Sequence, residues 1–226
     1  MKQGFPLTRY YNWLIFSVIN PELHAVLKKY AHGKMADIAC GEKPYAKMAS
    51  AFVTEHIGID HQETIHDKTR IDLIGTVYEI PAHDESFDSL LCTDVLEHVE
   101  EPAAAIAEAA RILKSGGFGI YSVQFFWHIH ESPRDFYRYS NFGLKYLFKK
   151  NGFEIIAVRA LTGFCATFGQ EVAYFVNQYR GRSKAHLLYW LLRPLIILIQ
   201  GLAYLLGKIE KSEGFAVEYI AVGRKP

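Results

Sequence analysis

The amino-acid sequence predicts an α/β fold: a doubly wound, mostly parallel seven-stranded sheet with a helical hydrophobic insertion before the last strand. Three observations carry that expectation. Strands and helices alternate from about residue 33 to about residue 160, as parallel β-α-β units do. A turn with one glycine, Gly41, joins a strand to a helix, and an acid, Asp60, follows about 20 residues later at the end of the second strand. Between the final two strands lie about 54 residues, 161–214, where a short connection is the norm, and the apolar content is concentrated there.

The first helix is expected at 20–30, with Asn20 as its cap, Pro21 in its first turn and Gly33 just beyond its end. Leu23, Val26, Leu27 and Tyr30 recur there at helical spacing. A strand at 35–39 runs into Cys40-Gly41-Glu42-Lys43-Pro44, and Pro44 opens a helix at 45–52. Strands at 56–60 and 71–74 follow, the first ending in Asp60. The run 87–92 reads as a buried strand after the polar turn 83–86. Glu101-Pro102 starts an alanine-rich helix that Ser115-Gly116-Gly117 stops, and 118–123 is the next strand. Ser140 caps a helix to Lys150, ended by Asn151-Gly152, and 153–159 and 216–222 complete the seven strands. No internal repeat or low-complexity stretch interrupts this order. The whole, 1–226, reads as one domain, with an N-terminal helical extension over 1–32 and the apolar insertion over 161–214.

Composition narrows the function. Lys and Arg number 25 against 24 Asp and Glu, half the residues are hydrophobic, and 226 residues are ample for a packed core. Near-neutral charge removes the basic surface that nucleic-acid binding needs, and disorder is excluded by the high hydrophobicity. Cys40, Cys92 and Cys165 are too few and too scattered for a disulfide framework or a metal knuckle, so the expected compartment is the reducing cytoplasm. The apolar stretch 13–19 has no small-residue cleavage site after it, so no signal peptide is expected.

In open α/β sheets, ligands bind beyond the carboxyl ends of the strands. Here that is Asp37-Ile-Ala-Cys-Gly41-Glu-Lys-Pro-Tyr45, with Asp60 placed to accept from both hydroxyls of a ribose. A dinucleotide fingerprint wants three glycines and this loop has one, and a triphosphate wants a GK[ST] run that is absent. A nucleoside cofactor without a diphosphate fits better.

These residues resemble the motif I loop of class I S-adenosylmethionine-dependent methyltransferases. The likeness continues through His56-Ile-Gly-Ile-Asp60, then Ser86-Phe-Asp-Ser-Leu-Leu-Cys-Thr-Asp94-Val-Leu-Glu-His98-Val, then Glu108-Ala-Ala-Arg-Ile-Leu-Lys-Ser-Gly-Gly117. That order is similar to the type 11 methyltransferase domain and covers roughly 33–160, implying a Rossmann-like methyltransferase sheet and S-adenosylmethionine as cofactor. The resemblance implies that Asp37, Ala39 and Gly41 line the methionine end, that Asp60 holds the ribose, and that Thr93 and Asp94 sit beside the sulfonium. Two positions depart from the family pattern. Ala39 stands where the loop has its first glycine, and Thr76 stands where an acid often holds the adenine amino group, a bond its hydroxyl can still make. Glu97 and His98 are open between a helix-start feature and chemistry.

After the fifth strand comes Phe125-Phe-Trp-His-Ile-His-Glu-Ser-Pro-Arg-Asp-Phe-Tyr-Arg-Tyr139. It is similar to a His-Glu-x-Pro-x-Asp-Phe-x-Arg-Tyr segment in one branch of these methyltransferases, which implies a pocket and names no substrate. Methyl transfer from a sulfonium needs mainly in-line placement, but a hydroxyl acceptor also needs a base near neutral pH. His130 and His128 are the catalytic candidates, and Glu131, Arg134, Arg138 and Tyr139 the acceptor-binding ones. The alternative is that Glu131, Arg134, Asp135 and Arg138 pair internally to hold the loop. No metal site is expected, since His128, His130 and Glu131 would point apart on an extended chain.

The run 187–206 has the length of a transmembrane helix. A single crossing would separate two strands of one sheet, and Arg193 would lie in the bilayer. Three readings remain. Arg193-Pro194 breaks the run into two interfacial helices, with Arg180, Arg182, Lys184, Lys208 and Lys211 toward anionic headgroups; or the helices roof an acceptor pocket; or they pack on the core or form a homodimer face. The stretch 10–19 extends the same apolar surface. The expected function is methyl transfer, at oxygen, to a small-molecule, glycan or lipid-linked acceptor by a cytoplasmic protein, with peripheral contact at the inner face of the membrane. The alternative is a non-catalytic S-adenosylmethionine-binding scaffold that recruits partners through the insertion.

Overall fold

A computed structural model describes residues 11–64, 67–180, 186–210 and 212–226. Its helices are α1 (Trp13–Tyr30), α2 (Ala46–Ala49), α3 (Pro102–Ile112), α4 (Asn141–Lys150), α5 (Phe164–Asn177) and α6 (His186–Gly207). Its strands are β1 (Lys34–Ile38), β2 (Glu55–Asp60), β3 (Leu73–Ile74), β4 (Phe87–Thr93), β5 (Leu113–Gln124), β6 (Glu154–Ala160) and β7 (Glu218–Arg224). They form one sheet in the order β3-β2-β1-β4-β5-β7-β6. The pairs among β1 to β5 are parallel, and β7 runs antiparallel between β5 and β6. The expected seven-stranded, mostly parallel sheet is present.

Successive strand residues point to opposite faces, so each strand feeds two cores. Leu90, Tyr121 and Ala36 pack with Ile106, Ala109, Leu144 and Phe148 from α3 and α4. Leu91, Ile120 and Met35 pack with Leu23, Leu27 and Tyr30 from α1 on the other face. That is the doubly wound layering. It places the connections after β1 and β4, neighbours that diverge from each other, at one end of the sheet.

Four element boundaries differ from expectation. α1 begins at Trp13 and keeps Pro21 inside it. A mid-helix proline costs about 3 kcal/mol through its lost bond to Ser17 and its clash. Burial of Leu14, Ile15 and Ile19 on the same stripe as Leu23 and Leu27 offsets that cost. α2 is one turn, not the expected 45–52. α3 stops at Ile112, because Leu113 is taken into β5 opposite Phe87. Gly117 allows that turn, since a Cβ there would lie 2.8 Å from the Asp88 carbonyl oxygen and 2.9 Å from that of Lys114. Finally, α6 is a single helix through Pro194. Pro194 is exposed, and the opposite stripe of Tyr189, Ile196, Gln200 and Ala203 is buried, so packing holds the helix together across it.

The insertion is a pair of helices laid beside α1. Gly169 of α5 meets Ala203 of α6 so closely that a Cβ on the glycine would be 2.5 Å from that of Ala203. Gln170 and Gln200 both donate to the Tyr11 carbonyl oxygen, at 2.6 and 2.8 Å. The outer face of α6 is bare apolar surface: Leu187, Leu191, Leu195, Leu198, Leu202 and Leu205 are all exposed. By length and composition α6 could cross a membrane. Arg182, Lys184, Lys211 and Tyr10, assigned above to this surface, lie outside the described residues.

Candidate functional site

The loop after β1 is a tight coil because Ala39, Gly41 and Lys43 all adopt the left-handed conformation, at φ 53°, 50° and 51°. Only the glycine does so without a Cβ penalty, which for an L-residue is about 1–2 kcal/mol. The coil turns the Gly41 N–H onto Asp60, which accepts it at 2.8 Å through Oδ2 and accepts the His61 N–H at 2.7 Å through Oδ1. The spacing read from the sequence is therefore a direct contact between loop and strand-end acid. Each carboxylate oxygen takes one of these bonds and keeps a lone pair, so a ribose diol is compatible with Asp60. Asp37, at the end of β1, is buried and bonded to His56 Nε2 at 2.9 Å. Burial raises its carboxyl pKa, and His56 opposes the rise.

Lys43 closes one side of the loop by reaching across β2 to Asp72 and to the His56 carbonyl. Gly58 makes room for it: a Cβ there would overlap Lys43 Cε at 2.1 Å. Thr76 is exposed, and its hydroxyl accepts from Glu79 N at 3.1 Å, capping its own turn. Thr93 ends β4, and Asp94 follows in the left-handed conformation. Asp94 Oδ1 accepts from Ser122 Oγ at 3.1 Å and from Gln124 Nε2 at 3.0 Å. The same Gln124 amide reaches Glu218 Oε2 at 3.3 Å. Glu97 and Glu218 are fully buried, and desolvation followed by the nearby Asp94 pushes both carboxyls well above the usual range. Sequence reading left Glu97 open and missed Glu218, which lies 94 residues from Gln124 and joins only through the antiparallel β5–β7 pairing.

The 125–139 loop is a second built structure. Phe125 and Phe126 donate to the Val217 carbonyl, and Phe136 donates to that of Glu97 at 2.8 Å. Asp135 takes two parallel bonds from Arg138, at 2.5 and 2.8 Å, and the His130 N–H at 2.9 Å. Those donors hold its carboxyl well below the ordinary range. Arg138 places its remaining donors on the carbonyls of Trp127, His128 and Tyr137. All five of its N–H groups face the loop, which favours the internal-pairing alternative for Arg138. Tyr139 is likewise inward, donating to the Leu96 carbonyl at 2.7 Å. Arg134 is exposed, and among the described residues its guanidinium makes no ion pair.

The two histidines separate. His128 stacks on Trp127 and faces Glu171 of α5 at 3.3 Å. A cleft of about 300 Å³ lies there, lined by Phe125, Phe126, Trp127, His128 and Glu171. His130 turns the other way, its Nε2 3.1 Å from His98 Nε2, with Glu97 and the exposed Glu131 beside them. Glu97 and His98 form one 3-10 turn after β4, so neither begins α3. A larger cleft of about 460 Å³, between α1, α6 and the turn after β6, is lined by none of these residues.

Sheet order, loop and strand-end acid together are those of an α/β fold of the methyltransferase kind. The family model of the type 11 methyltransferase domain matches residues 36–121. The chain is 29% identical over 125 residues to a ubiquinone biosynthesis O-methyltransferase of Alkalilimnicola ehrlichii, covering 50% of this chain and 48% of that one. It is 31% identical over 100 residues to the enzyme of the same name from Thiobacillus denitrificans, covering 39% and 43%. The chain thus spans about half the length of these relatives. In fold it is similar to an S-adenosylmethionine-dependent methyltransferase of Mesorhizobium loti, with TM-score 0.59, 16% identity, and 94% and 100% of the two chains covered. It is also similar to the [4+2]-cyclase SpnF, with TM-score 0.58, 19% identity, and 91% and 81% covered. The fold is that of the class I S-adenosylmethionine-dependent methyltransferases, and residues 36–121 carry the matched methyltransferase domain.

Proposed function

We propose that the protein transfers the methyl group of S-adenosylmethionine, by in-line displacement, to an oxygen of a small-molecule, glycan or lipid-linked acceptor. The observation that carries this reading is the bond from the Gly41 amide to Asp60, which joins the cofactor loop to the ribose acid. Asp37, Ala39 and Gly41 border the methionine end, Asp60 holds the ribose, Thr76 lies toward the adenine, and Thr93 and Asp94 lie toward the sulfonium. When bound, the cofactor supplies an activated leaving group, so the chain's task is placement and charge. The acids Asp94, Glu97 and Glu218 around the ends of β4, β5 and β7 suit a cationic neighbour, and such a neighbour would draw Glu97 and Glu218 toward their ionised forms.

On the acceptor side, His130 is the base. Burial and the adjacent His98 lower its pKa, which keeps the ring neutral and its lone pair available near pH 7. Arg134 is free to meet an anionic group, while Glu131, Arg138 and Tyr139 shape the loop. His128 borders the aromatic cleft as the second candidate. Relatives named as O-methyltransferases support oxygen as the methylated atom. The exposed leucine face of α6 supports a peripheral role at the inner face of the membrane. α6 carries no acid, and Arg193 within its first half and Lys208 just past its end lie over the Trp190 and Tyr204 rings.

The test is incubation of the protein with labelled methyl donor and a membrane-lipid extract. Label appearing in an extractable product, and lost in His130→Ala, supports the reading. Failure across lipid, glycan and small-molecule acceptor classes favours the non-catalytic scaffold. Co-flotation with anionic vesicles, lost when Leu191, Leu195 and Leu198 are changed to Ser, checks the placement of α6.

A further inference from the structure

We propose that Glu97, His98 and His130, closed on the solvent side by Glu131, form a binding site for one divalent transition-metal ion of the zinc type. Proton positions point there. His98 Nδ1 lies 2.5 Å from the Arg134 carbonyl oxygen, which can only accept. Nδ1 therefore carries the proton of the neutral ring, and Nε2 presents a bare lone pair. His130 Nε2 lies 3.1 Å from that atom, while among the described residues His130 Nδ1 has no hydrogen-bond partner, the Asp135 carboxylate standing off at 3.6 Å. The two Nε2 atoms thus face each other at a spacing that one bridging ion could span.

Glu97 supplies the second, independent observation. Its side chain is 0% exposed, and among the described residues neither carboxylate oxygen has a hydrogen-bond partner. A buried carboxylate without partners is costly unless a cation accompanies it. Its ligand oxygen and both Nε2 atoms lie within 4.8 Å of one another. A metal about 2.0–2.1 Å from two imidazole nitrogens at a tetrahedral angle sets them roughly 3.3–3.4 Å apart, a small adjustment from the 3.1 Å seen. Glu131 Oε2, 3.8 Å from His98 Nε2, approaches from the exposed side as a fourth ligand. Two imidazoles with carboxylates form a donor set for zinc, cobalt or iron, whereas calcium and magnesium take oxygen ligands. The Arg134 carbonyl behind His98 is the kind of acceptor that orients a metal-bound histidine.

The ion's role rests on the proposed methyl transfer. Near the end of β4, the exposed Glu131 could yield its position to an acceptor hydroxyl, whose pKa the metal would lower and whose proton the released Glu131 carboxylate would take; with metal bound, His130 would serve as a ligand, and its role as base belongs to the metal-free protein. The test separates the two ideas. Titration of the full chain with Co²⁺ is followed by visible absorption, and S-adenosylhomocysteine binding is measured on the same samples. The expected result is one equivalent of Co²⁺, displaced by Zn²⁺, with affinity at least tenfold weaker in His98→Asn and His130→Asn and unchanged in His128→Asn. Retained S-adenosylhomocysteine binding in the variants shows that they fold. Absence of saturable Co²⁺ and Zn²⁺ binding in protein that binds S-adenosylhomocysteine overturns the metal site, as does unchanged affinity in both histidine variants. Stoichiometric metal binding without S-adenosylhomocysteine binding supports the site and removes the methyltransferase reading instead.

Discussion

The loops that leave β1 and β5 are each held by one carboxylate, but they are built on opposite plans. In the first, Asp60 comes from the neighbouring strand and grips main-chain N–H groups of Gly41 and His61. In the second, Asp135 belongs to the loop itself and grips the Arg138 side chain. A loop fixed through its backbone needs particular conformations at a few positions and tolerates varied side chains. A loop fixed through side chains is tied to particular residues. The first plan suits a shared cofactor, the second a pocket shaped for one class of acceptor.

The largest expected effect tests the second plan. Asp135→Ala strands the Arg138 guanidinium and the His130 N–H, and should lower unfolding stability by about 2–3 kcal/mol, measured by urea denaturation. A change below 0.5 kcal/mol would mean that the loop is held by its backbone after all. The pH dependence has a defined sign. Asp135 is depressed in the folded state, so its contribution is fully present above the unfolded carboxyl value of about 3.9 and is lost as pH falls below it. Asp135→Asn should therefore flatten the acid limb of stability below about pH 4.

The first plan predicts a gain. Ala39 is a Cβ-bearing residue at φ 53°, so Ala39→Gly should stabilise by about 0.5–1 kcal/mol, raising Tm by about 1–4 °C. A fall in Tm would show that the alanine methyl contributes packing that outweighs the strain. Smallest is a shift in the activity profile. If His130 is the base, the acid limb of kcat/KM should fall below the ordinary histidine value of about 6.5, because burial holds its pKa down. A limb above 6.5 would assign the proton transfer to another group.

The same contrast explains what the sequence made legible. Gly41 and Asp60 could be paired in advance, because their relation is set by strand–turn–helix geometry common to many sheets. The seven strands were legible for the same reason, six within about two residues of their places, while β5 begins five residues early at Leu113. Glu218 was not legible, because it becomes a site residue only through long-range pairing and burial, and Glu97 was legible only as one of two open readings. His98 met His130 across 32 residues through a 3-10 turn that sequence pattern does not mark. Proline misled twice. Pro21 and Pro194 read as helix punctuation, yet both sit inside helices whose buried stripes outweigh the lost hydrogen bond.

The central claim is that the loop from Asp37 to Tyr45 and the acid Asp60 hold the nucleoside of S-adenosylmethionine. Calorimetric titration with S-adenosylhomocysteine tests it most directly. Saturable one-to-one binding, weakened at least tenfold (about 1.4 kcal/mol) in Asp60→Ala, is the predicted result. Equal affinity in a folded Asp60→Ala variant, or no binding by the wild-type chain, would contradict it.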